Sequence, residues 1–179
     1  MAAVEFAMIL PVMLIAYVGM VEVVQLVMIN RKVTQLTSAL SDLTARVQSV
    51  APADVENIFN AAQTVLMPYD YSQATMVIAS IVIDGSGVAK VCWSSQRNDT
   101  ALVRGTTVTV PDSVKVPNTS VIMARASYKY TPTIGYVLTG IFTLGNNPIY
   151  SRPRNGLAGG TLNVEQVNRT DVNPCPLFN

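Results

Sequence analysis

The sequence predicts an α+β protein in which a long N-terminal helix carries a small head with an antiparallel sheet. Three observations predict it: an uncharged run from Phe6 to Val21, apolar positions spaced by three and four from Leu26 to Val50, and β-branched segments with turn signals after Pro68. These patterns are typical of a membrane span, an amphipathic helix and strands, respectively. We therefore expect a helical part at residues 1–50 and a head at 51–179.

Composition excludes several classes of protein. Only 13% of the 179 residues are charged, where about 25% is usual for a soluble domain. The net charge of +1 gives no field that would attract nucleic acid. Histidine is absent, which removes the commonest general base and metal ligand. The segment Gly85-Ser86-Gly87 is too short for a nucleophile elbow. We therefore expect no enzyme, no metal and no cofactor.

The apolar run has the length of a membrane span. From Ala2 to Ile29 a helix would extend about 42 Å, and we place the span itself at 6–29. Glu5, Glu22 and Pro11 disturb a simple anchor, since carboxylates and proline are costly inside such a helix. Either Glu5 lies at one interface and Glu22 at the opposite boundary, or these carboxylates have a role within the membrane.

Charge and cysteine usage bear on the orientation of the chain. Arg31 and Lys32 follow the span and nothing basic precedes it, although basic residues normally mark the cytoplasmic side. Either the C-terminus is cytoplasmic, or a basic leader has been removed. Cys92 and Cys175 favour the second interpretation, because an isolated pair in an exported domain is most simply a disulfide. The alternative is two reduced cysteines in a cytoplasmic domain.

The amphipathic stripe continues the apolar run as one helix to about Ser49. Such a stripe must pack on something, either the head of the same chain or copies of the same helix. We expect both. Leu40 and Leu43, at the outer end, should pack on the head, whereas Leu26 and Ile29 should face neighbouring subunits.

The head reads as a short helix followed by strands and a loose C-terminal tail. Asp54 is a candidate N-cap for the short helix, and Asp84-Gly85 is a hairpin signal. Alternation places Tyr128 and Tyr130 on one face of a strand, where they more often belong to a core than to an exposed patch with Tyr136 and Phe142. The predicted strands cover Thr75 to Ile83, Val88 to Ser94, Thr106 to Val110 and Val121 to Tyr130.

Residues 2–14 resemble the opening of the TadE/TadG-like minor pilins (pseudopilins) of the bacterial tight-adherence (Tad/Flp) pilus. That opening is a small residue, Ala-Val-Glu-Phe-Ala, an aliphatic pair and proline. A second resemblance lies downstream, in a Tyr-x-Tyr-x-Pro strand end and a Ser-x-x-Arg segment. The matching positions are Ala3, Val4, Glu5, Phe6, Ala7, Leu10 and Pro11, then Tyr128, Tyr130, Pro132, Ser151, Arg152 and Arg154.

The resemblance implies a prepilin leader ending just before Met1, which places Glu5 at the fifth mature position. Glu5 of one subunit would then meet the α-amino group of the next. The implied partners are other pilin-like subunits, the inner-membrane assembly machinery, a prepilin peptidase and the lipid bilayer. The implied location is the inner membrane with a periplasmic head, and then the envelope-spanning filament. The assembly candidates are Met1, Glu5, Phe6, Pro11, Glu22, Leu26 and Ile29.

Two functions remain open at this point. The first is a structural subunit of a type IV pilus-related filament, as a main component or as part of a tip or priming complex. The alternative is a single-pass membrane-anchored periplasmic binding module that does not polymerise. The sheet between the span and the tyrosine strand is larger than is usual for TadE-like chains, so the resemblance does not decide between a minor and a main subunit.

Overall fold

The computed structural model describes residues 2–132, 135, 138–160 and 162–175. A helix of 44 residues, α1 (Ala2–Ala45), opens the chain and a second, α2 (Pro52–Gln63), follows it. Two single-turn helices, Thr64–Leu66 and Tyr71–Gln73, lead into the sheet. The predicted α+β class, with a long apolar helix followed by an antiparallel sheet, is confirmed.

The first helix ends four residues earlier than the stripe predicts. The backbone N–H of Arg154 donates to the Ala45 carbonyl at 2.8 Å, and the Asn155 side chain donates to the Arg46 carbonyl at 3.1 Å. These bonds satisfy two of the carbonyls that a helix end leaves without partners. Ser49–Val50, predicted as the last helical residues, form instead the short strand β1, which pairs in parallel with a short strand near the C-terminus, β9 (Asn168–Arg169).

The remaining strands are β2 (Ala74–Ile83), β3 (Ala89–Arg97), β4 (Thr119–Tyr130), β5 (Phe142–Gly145), β6 (Ile149–Ser151), β7 (Leu157–Gly159) and β8 (Val164–Gln166). The main sheet is antiparallel and has five strands in the order β3-β2-β4-β5, with β6 also paired to β4. β5 and β6 lie one after the other along the same edge of β4, since β5 pairs with residues 127–130 and β6 with residues 122–124.

Local chemistry explains the hairpin and corrects two expectations. Asp84 Oδ1 accepts bonds from the backbone of Ser86 (2.9 Å) and Val88 (2.8 Å), which fixes the predicted β2–β3 turn. The predicted strand at Thr106 to Val110 is wrong, because only an isolated bridge between Lys90 and Thr107 forms there. Asp54 is not the N-cap of α2. It is the third helical residue, and its carboxylate reaches back to the N–H of the cap residue Ala51 at 2.9 Å.

Both faces of the sheet are covered. One face packs on α1 and α2 around a core that includes Val33, Leu36, Leu40 and Phe59. The other face forms a smaller core with Val110, against which Leu102, Val108, Val114 and Tyr150 pack. Strand β2 is therefore buried along almost its whole length, which accounts for its continuous apolar sequence.

The outer half of α1 lies along β4 and runs in the opposite direction. Gln25 lies at the Tyr130 end of the strand, and Ser41 bonds Ser151, which pairs with Ile122 near the other end. Helix and sheet approach very closely at Gly145, where an added Cβ would lie 2.5 Å from Val33 Cγ1. Glycine at this position therefore permits the packing.

Candidate membrane and assembly site

The first part of α1 extends beyond the head with its apolar side chains exposed. The helix is long and apolar enough to cross a membrane, and from Val4 to Tyr17 none of its side chains is buried by the head. Monomeric soluble proteins rarely expose an apolar surface of this size, which is typical of a membrane or protein interface. The side chains that would face lipid or neighbouring helices include Met8, Ile9, Val12, Met13, Leu14, Ile15 and Tyr17.

The assembly residues at the start of the helix share this surface. Glu5, Phe6 and Pro11 are exposed, and Pro11 lies inside the helix without ending it. The part of the chain that the structure describes offers Glu5 no hydrogen-bond or ion-pair partner. Its carboxylate is therefore available to another chain. Met1, predicted to supply the amino group, lies outside the described residues.

Ile29 corrects an expectation. It is 1% exposed and belongs to the core of the head, so it does not face a neighbouring subunit. Leu26 is half-buried and packs against the same core. The spacing of three and four identified the buried side of the helix correctly. The head, however, covers α1 from Ile29 onward, about three turns before Leu40, where contact with the head was expected. Leu43, which was expected to pack on the head together with Leu40, is only half-buried.

Glu22 bonds to its own chain. The residue is 1% exposed, and its carboxylate accepts hydrogen bonds from the backbone N–H groups of Gly135 (2.7 Å) and Leu138 (2.9 Å). A carboxylate that accepts backbone N–H bonds meets the requirement for burying a charge next to apolar surface. Sequence reasoning missed this contact. The stretch between Lys129 and Arg152 has no charge and several glycines, but this composition does not identify it as the partner of Glu22.

Two buried tyrosines lie in the head near the contact that Glu22 makes. Tyr130 Oη donates to Gln25 Oε1 at 3.1 Å, and Tyr128 is buried in the same core, as predicted. Burial, and then the negative charge of Glu22, raise the pKa of Tyr130. Burial also raises the pKa of Tyr128, with a smaller contribution from Asp70. Of the other two aromatics considered, Phe142 is half-buried, and Tyr136 lies outside the described residues.

The two cysteines form the predicted disulfide, which links β3 to the C-terminal tail. Gln166 holds the same junction, since its Nε2 donates to the Cys175 carbonyl (2.6 Å) and its Oε1 accepts from the Cys175 N–H (3.1 Å). Trp93 lies in the same core and donates from Nε1 to the Val167 carbonyl at 2.8 Å. The tail up to Cys175 is therefore fixed to the head.

The downstream motif residues have structural roles. Arg154 pairs with Asp42 of α1 at 2.8 Å, and Asp42 also pairs with Arg46. Arg152 is exposed and lines a small cavity with Glu165. Pro132 is buried directly after β4. These contacts fasten the far end of α1 and shape the end of β4.

No catalytic arrangement emerges from the described residues. None of them forms a group of three or more histidine, cysteine or acidic side chains that could hold a metal. A cavity of about 380 Å³ lies between Gln25, Tyr69, Tyr128 and Tyr130, and its lining provides the cation Lys129 but no carboxylate. It therefore lacks the paired acid and base that most hydrolytic sites need.

The fold and the exposed helix define a class: a protein anchored in a membrane by one N-terminal helix that also forms part of the core of its head. A family model described as TadE-like protein matches residues 1–40. The matched segment contains the residues 2–14 that carry the resemblance, and it makes the chain similar to TadE-like proteins over these 40 of its 179 residues. No curated protein and no solved structure matches the chain. The match ends before β4, so the resemblance at Tyr128, Tyr130, Pro132, Arg152 and Arg154 stays a prediction.

Proposed function

We propose that the chain is a pilin-like structural subunit of a filament related to the tight-adherence pilus. The observation that carries the proposal is the division of α1: its first part is exposed and apolar, and its outer part is built into the head. In the membrane the exposed part is a span. In a filament the same surface packs against equivalent helices of neighbouring subunits, where close packing rather than hydrophobic transfer provides the stabilisation.

Glu5 has the central role in this assembly. An exposed carboxylate on a lipid-facing helix is costly, and its removal into an ion pair with the α-amino group of a neighbouring subunit favours the assembled state. Phe6 and Pro11 belong to the same packing surface. Glu22 does not, because its carboxylate is already occupied by the head of its own chain.

The location and the partners follow from this function. The head lies on the periplasmic side, where the disulfide can form, and the subunit leaves the inner membrane for the filament. A prepilin peptidase removes the leader, and the inner-membrane assembly machinery then inserts the subunit. N-terminal sequencing of native filament protein measures where the mature chain begins relative to Glu5.

Substitution of Glu5 tests the proposal. Glu5→Ala and Glu5→Gln, expressed in cells that assemble the filament, are expected to reduce the yield of sheared filaments sharply while membrane-bound subunit stays at the wild-type level. Asp112→Ala is the matched control, since Asp112 is an exposed carboxylate of the head. Wild-type yield from Glu5→Ala would reject this role for Glu5. A wild-type chain found only in membranes, never in sheared material, would favour the anchored binding module.

A further inference from the structure

The cavity of about 380 Å³ lies where α1 emerges from the head. The helix contributes Gln25 and Ile29 to its lining, and the end of β4 contributes Tyr128, Lys129 and Tyr130. Lys129 is exposed, whereas the two tyrosines beside it are buried. The cavity therefore joins the apolar part of the helix to the polar end of the head.

The length of the span places this cavity at the level of the lipid headgroups. A hydrocarbon layer of about 20 helical residues that begins at Phe6, the first residue of the uncharged run, ends at Gln25. From Gln25 to Arg31, the first charged residue after Glu22, the helix rises about 9 Å, which is comparable to one headgroup layer. This placement puts Lys129 and the cavity among headgroups, outside the hydrocarbon.

The loop before β2 supports the same level. Lys32 Nζ donates to the carbonyls of Val65 (3.0 Å) and Met67 (2.8 Å), which holds the loop beside α1. Met67 is 67% exposed and Tyr71 is 54% exposed. Tyrosines are enriched where hydrocarbon meets headgroups. This end of the head therefore has side chains typical of a surface that rests on a bilayer.

The lining of the cavity offers hydrogen-bond donors. Tyr128 is 6% exposed, yet its hydroxyl bonds to none of the residues that the structure describes. Gln25 accepts from Tyr130 through Oε1, and the N–H groups of its amide have no partner in the described chain. A buried hydroxyl without a partner costs free energy that a ligand can recover. The cavity therefore suits a ligand with acceptor oxygens.

The cations near the cavity favour a ligand with negative charge. Lys129 is the one charged side chain that the described residues contribute to the lining. Arg31 and Lys32 follow on α1, and Arg31 is exposed. A phosphodiester combines acceptor oxygens with a negative charge, so it matches both the donors and the cations.

Two carboxylates occur in the neighbourhood, and both already have partners. The Asp70 carboxylate accepts from the backbone N–H (2.9 Å) and the hydroxyl (2.6 Å) of Ser72. Glu22 is held by the backbone of Gly135 and Leu138. Neither carboxylate belongs to the lining of the cavity, so the donors there stay available to a ligand.

The helix beside the cavity provides a surface for acyl chains. Val21, Val24 and Met28 follow one another at steps of three and four, so they form one stripe of the helix next to Gln25. Val24 is 49% exposed and Met28 is 54% exposed. A lipid with its phosphate in the cavity would have its acyl chains along this stripe.

We propose that the cavity binds the phosphodiester group of a membrane phospholipid, with the acyl chains along Val21, Val24 and Met28. The Tyr128 hydroxyl and the Lys129 ammonium group donate to the phosphate oxygens. The inference goes beyond the proposed function, because it applies equally to a subunit that polymerises and to an anchor that does not.

Native mass spectrometry of the full chain, released from maltoside micelles, tests the ligand. The probes are dioctanoyl-phosphatidylglycerol, dioctanoylglycerol, which has the same acyl chains without the phosphate, and inorganic phosphate. The expected result is one bound phosphatidylglycerol per chain, little retention of dioctanoylglycerol and no displacement by an equal concentration of inorganic phosphate. Equal retention of dioctanoylglycerol would overturn recognition of the phosphate. Displacement by inorganic phosphate would overturn a lipid as the ligand and assign the cavity to free phosphate.

A tyrosine substitution tests the cavity itself. Tyr128→Phe removes the hydroxyl without breaking a bond to a described residue, and it should weaken binding of dioctanoyl-phosphatidylglycerol by about tenfold or more, as expected for a hydrogen bond to a charged group. Tyr150→Phe is the matched control, since Tyr150 packs on the other face of the sheet. Native fluorescence of the buried Trp93 verifies folding. Wild-type affinity in folded Tyr128→Phe would show that the lipid binds the span alone, which would overturn the proposal.

A lysine substitution separates the cavity from general charge attraction. Lys129→Gln should weaken binding by up to about fivefold, the usual range for an exposed ionic contact. Lys115→Gln, at another exposed lysine of the head, should leave binding unchanged. Equal affinities of the two variants would overturn the role of Lys129 in the site. Filament yield enters none of these measurements, so failure here is distinct from failure of the proposed assembly.

Discussion

The two halves of α1 share one continuous backbone and a high content of apolar side chains, yet they have different surroundings. In the first half, from Val4 to Tyr17, apolar residues occur on every side of the helix and none is buried. In the second half, Val33, Leu36 and Leu40 lie on one side and are completely buried, while Thr34, Gln35 and Ser38 lie exposed on the other.

This difference shows that the arrangement of polar residues, more than hydrophobicity, decides what a helix packs against. A helix that is apolar all round has no face that prefers water, and it is stable in lipid or among other apolar helices. An amphipathic helix has one apolar face and one polar face, so it packs its apolar face on the head and exposes its polar face to water. Ile29 and Glu22 mark the overlap, where side chains within the apolar run are already buried by the head.

The largest expected effect is a loss of stability when a core side chain in the second half of α1 is truncated. Leu40→Ala should lower the free energy of unfolding of the head by about 2–5 kcal/mol, because Leu40 is fully buried. Leu14→Ala is the matched control in the exposed half and should leave the head unaffected. Leu43→Ala, at a half-buried side chain, should fall between them. Denaturant unfolding of the full chain in micelles, followed by Trp93 fluorescence, measures all three. Equal losses at Leu40 and Leu14 would mean that the helix does not stabilise the head.

A smaller effect tests how closely the second half approaches the sheet. Gly145→Ala places a Cβ 2.5 Å from Val33 Cγ1 and 2.7 Å from the Ala126 carbonyl, and it should cost about 1–3 kcal/mol by overpacking in addition to backbone strain. Gly105→Ala is the control, since Gly105 has the same φ of +83° but nothing within 4 Å. The difference between the two variants in the same unfolding assay isolates the packing. If it is zero, the helix and sheet are not in tight contact at Gly145.

The smallest expected effect is a loss of stability in alkali. The pKa values of Tyr128 and Tyr130 are raised in the folded head, mainly by burial. The neutral phenols therefore contribute stability that is complete below the unfolded pKa of about 10 and is lost as the pH rises through the folded pKa. The midpoint of urea unfolding should fall above about pH 10. The double variant Tyr128→Phe, Tyr130→Phe should reduce this fall, whereas Tyr17→Phe in the exposed half should not change it.

Much of the fold could be predicted because it depends on local patterns. The period of the stripe identified Val33, Leu36 and Leu40 as packing residues. Alternation placed Tyr128 and Tyr130 together on one face of β4, and the structure shows that this face packs on the helix. The disulfide followed from a single pair of cysteines in a chain expected to be exported.

The failures have a common physical origin in contacts between residues distant in sequence. The end of α1 is fixed by Arg154, more than a hundred residues later. Thr106 to Val110 has the composition of a strand, but the edge of β3 takes only one bridge from it at Thr107. The partner of Glu22 is a loop 113 residues away. Neither period nor propensity carries this information, so the candidate site was identified only in part: Glu5 by motif, and Glu22 without its contact.

The antiparallel course of α1 along β4 has a mechanical consequence. Tension on a filament or an anchor reaches the head through the N-terminal part of α1 and acts along the helix axis. That direction is also the direction of β4, so the load shears the helix–sheet interface from Ile29 to Leu40 instead of peeling it open one residue at a time. The side chains of the interface must then be displaced together. Because forced unfolding is governed by the rate of crossing the unfolding barrier, this geometry makes the head a strong attachment point even where its equilibrium stability is ordinary.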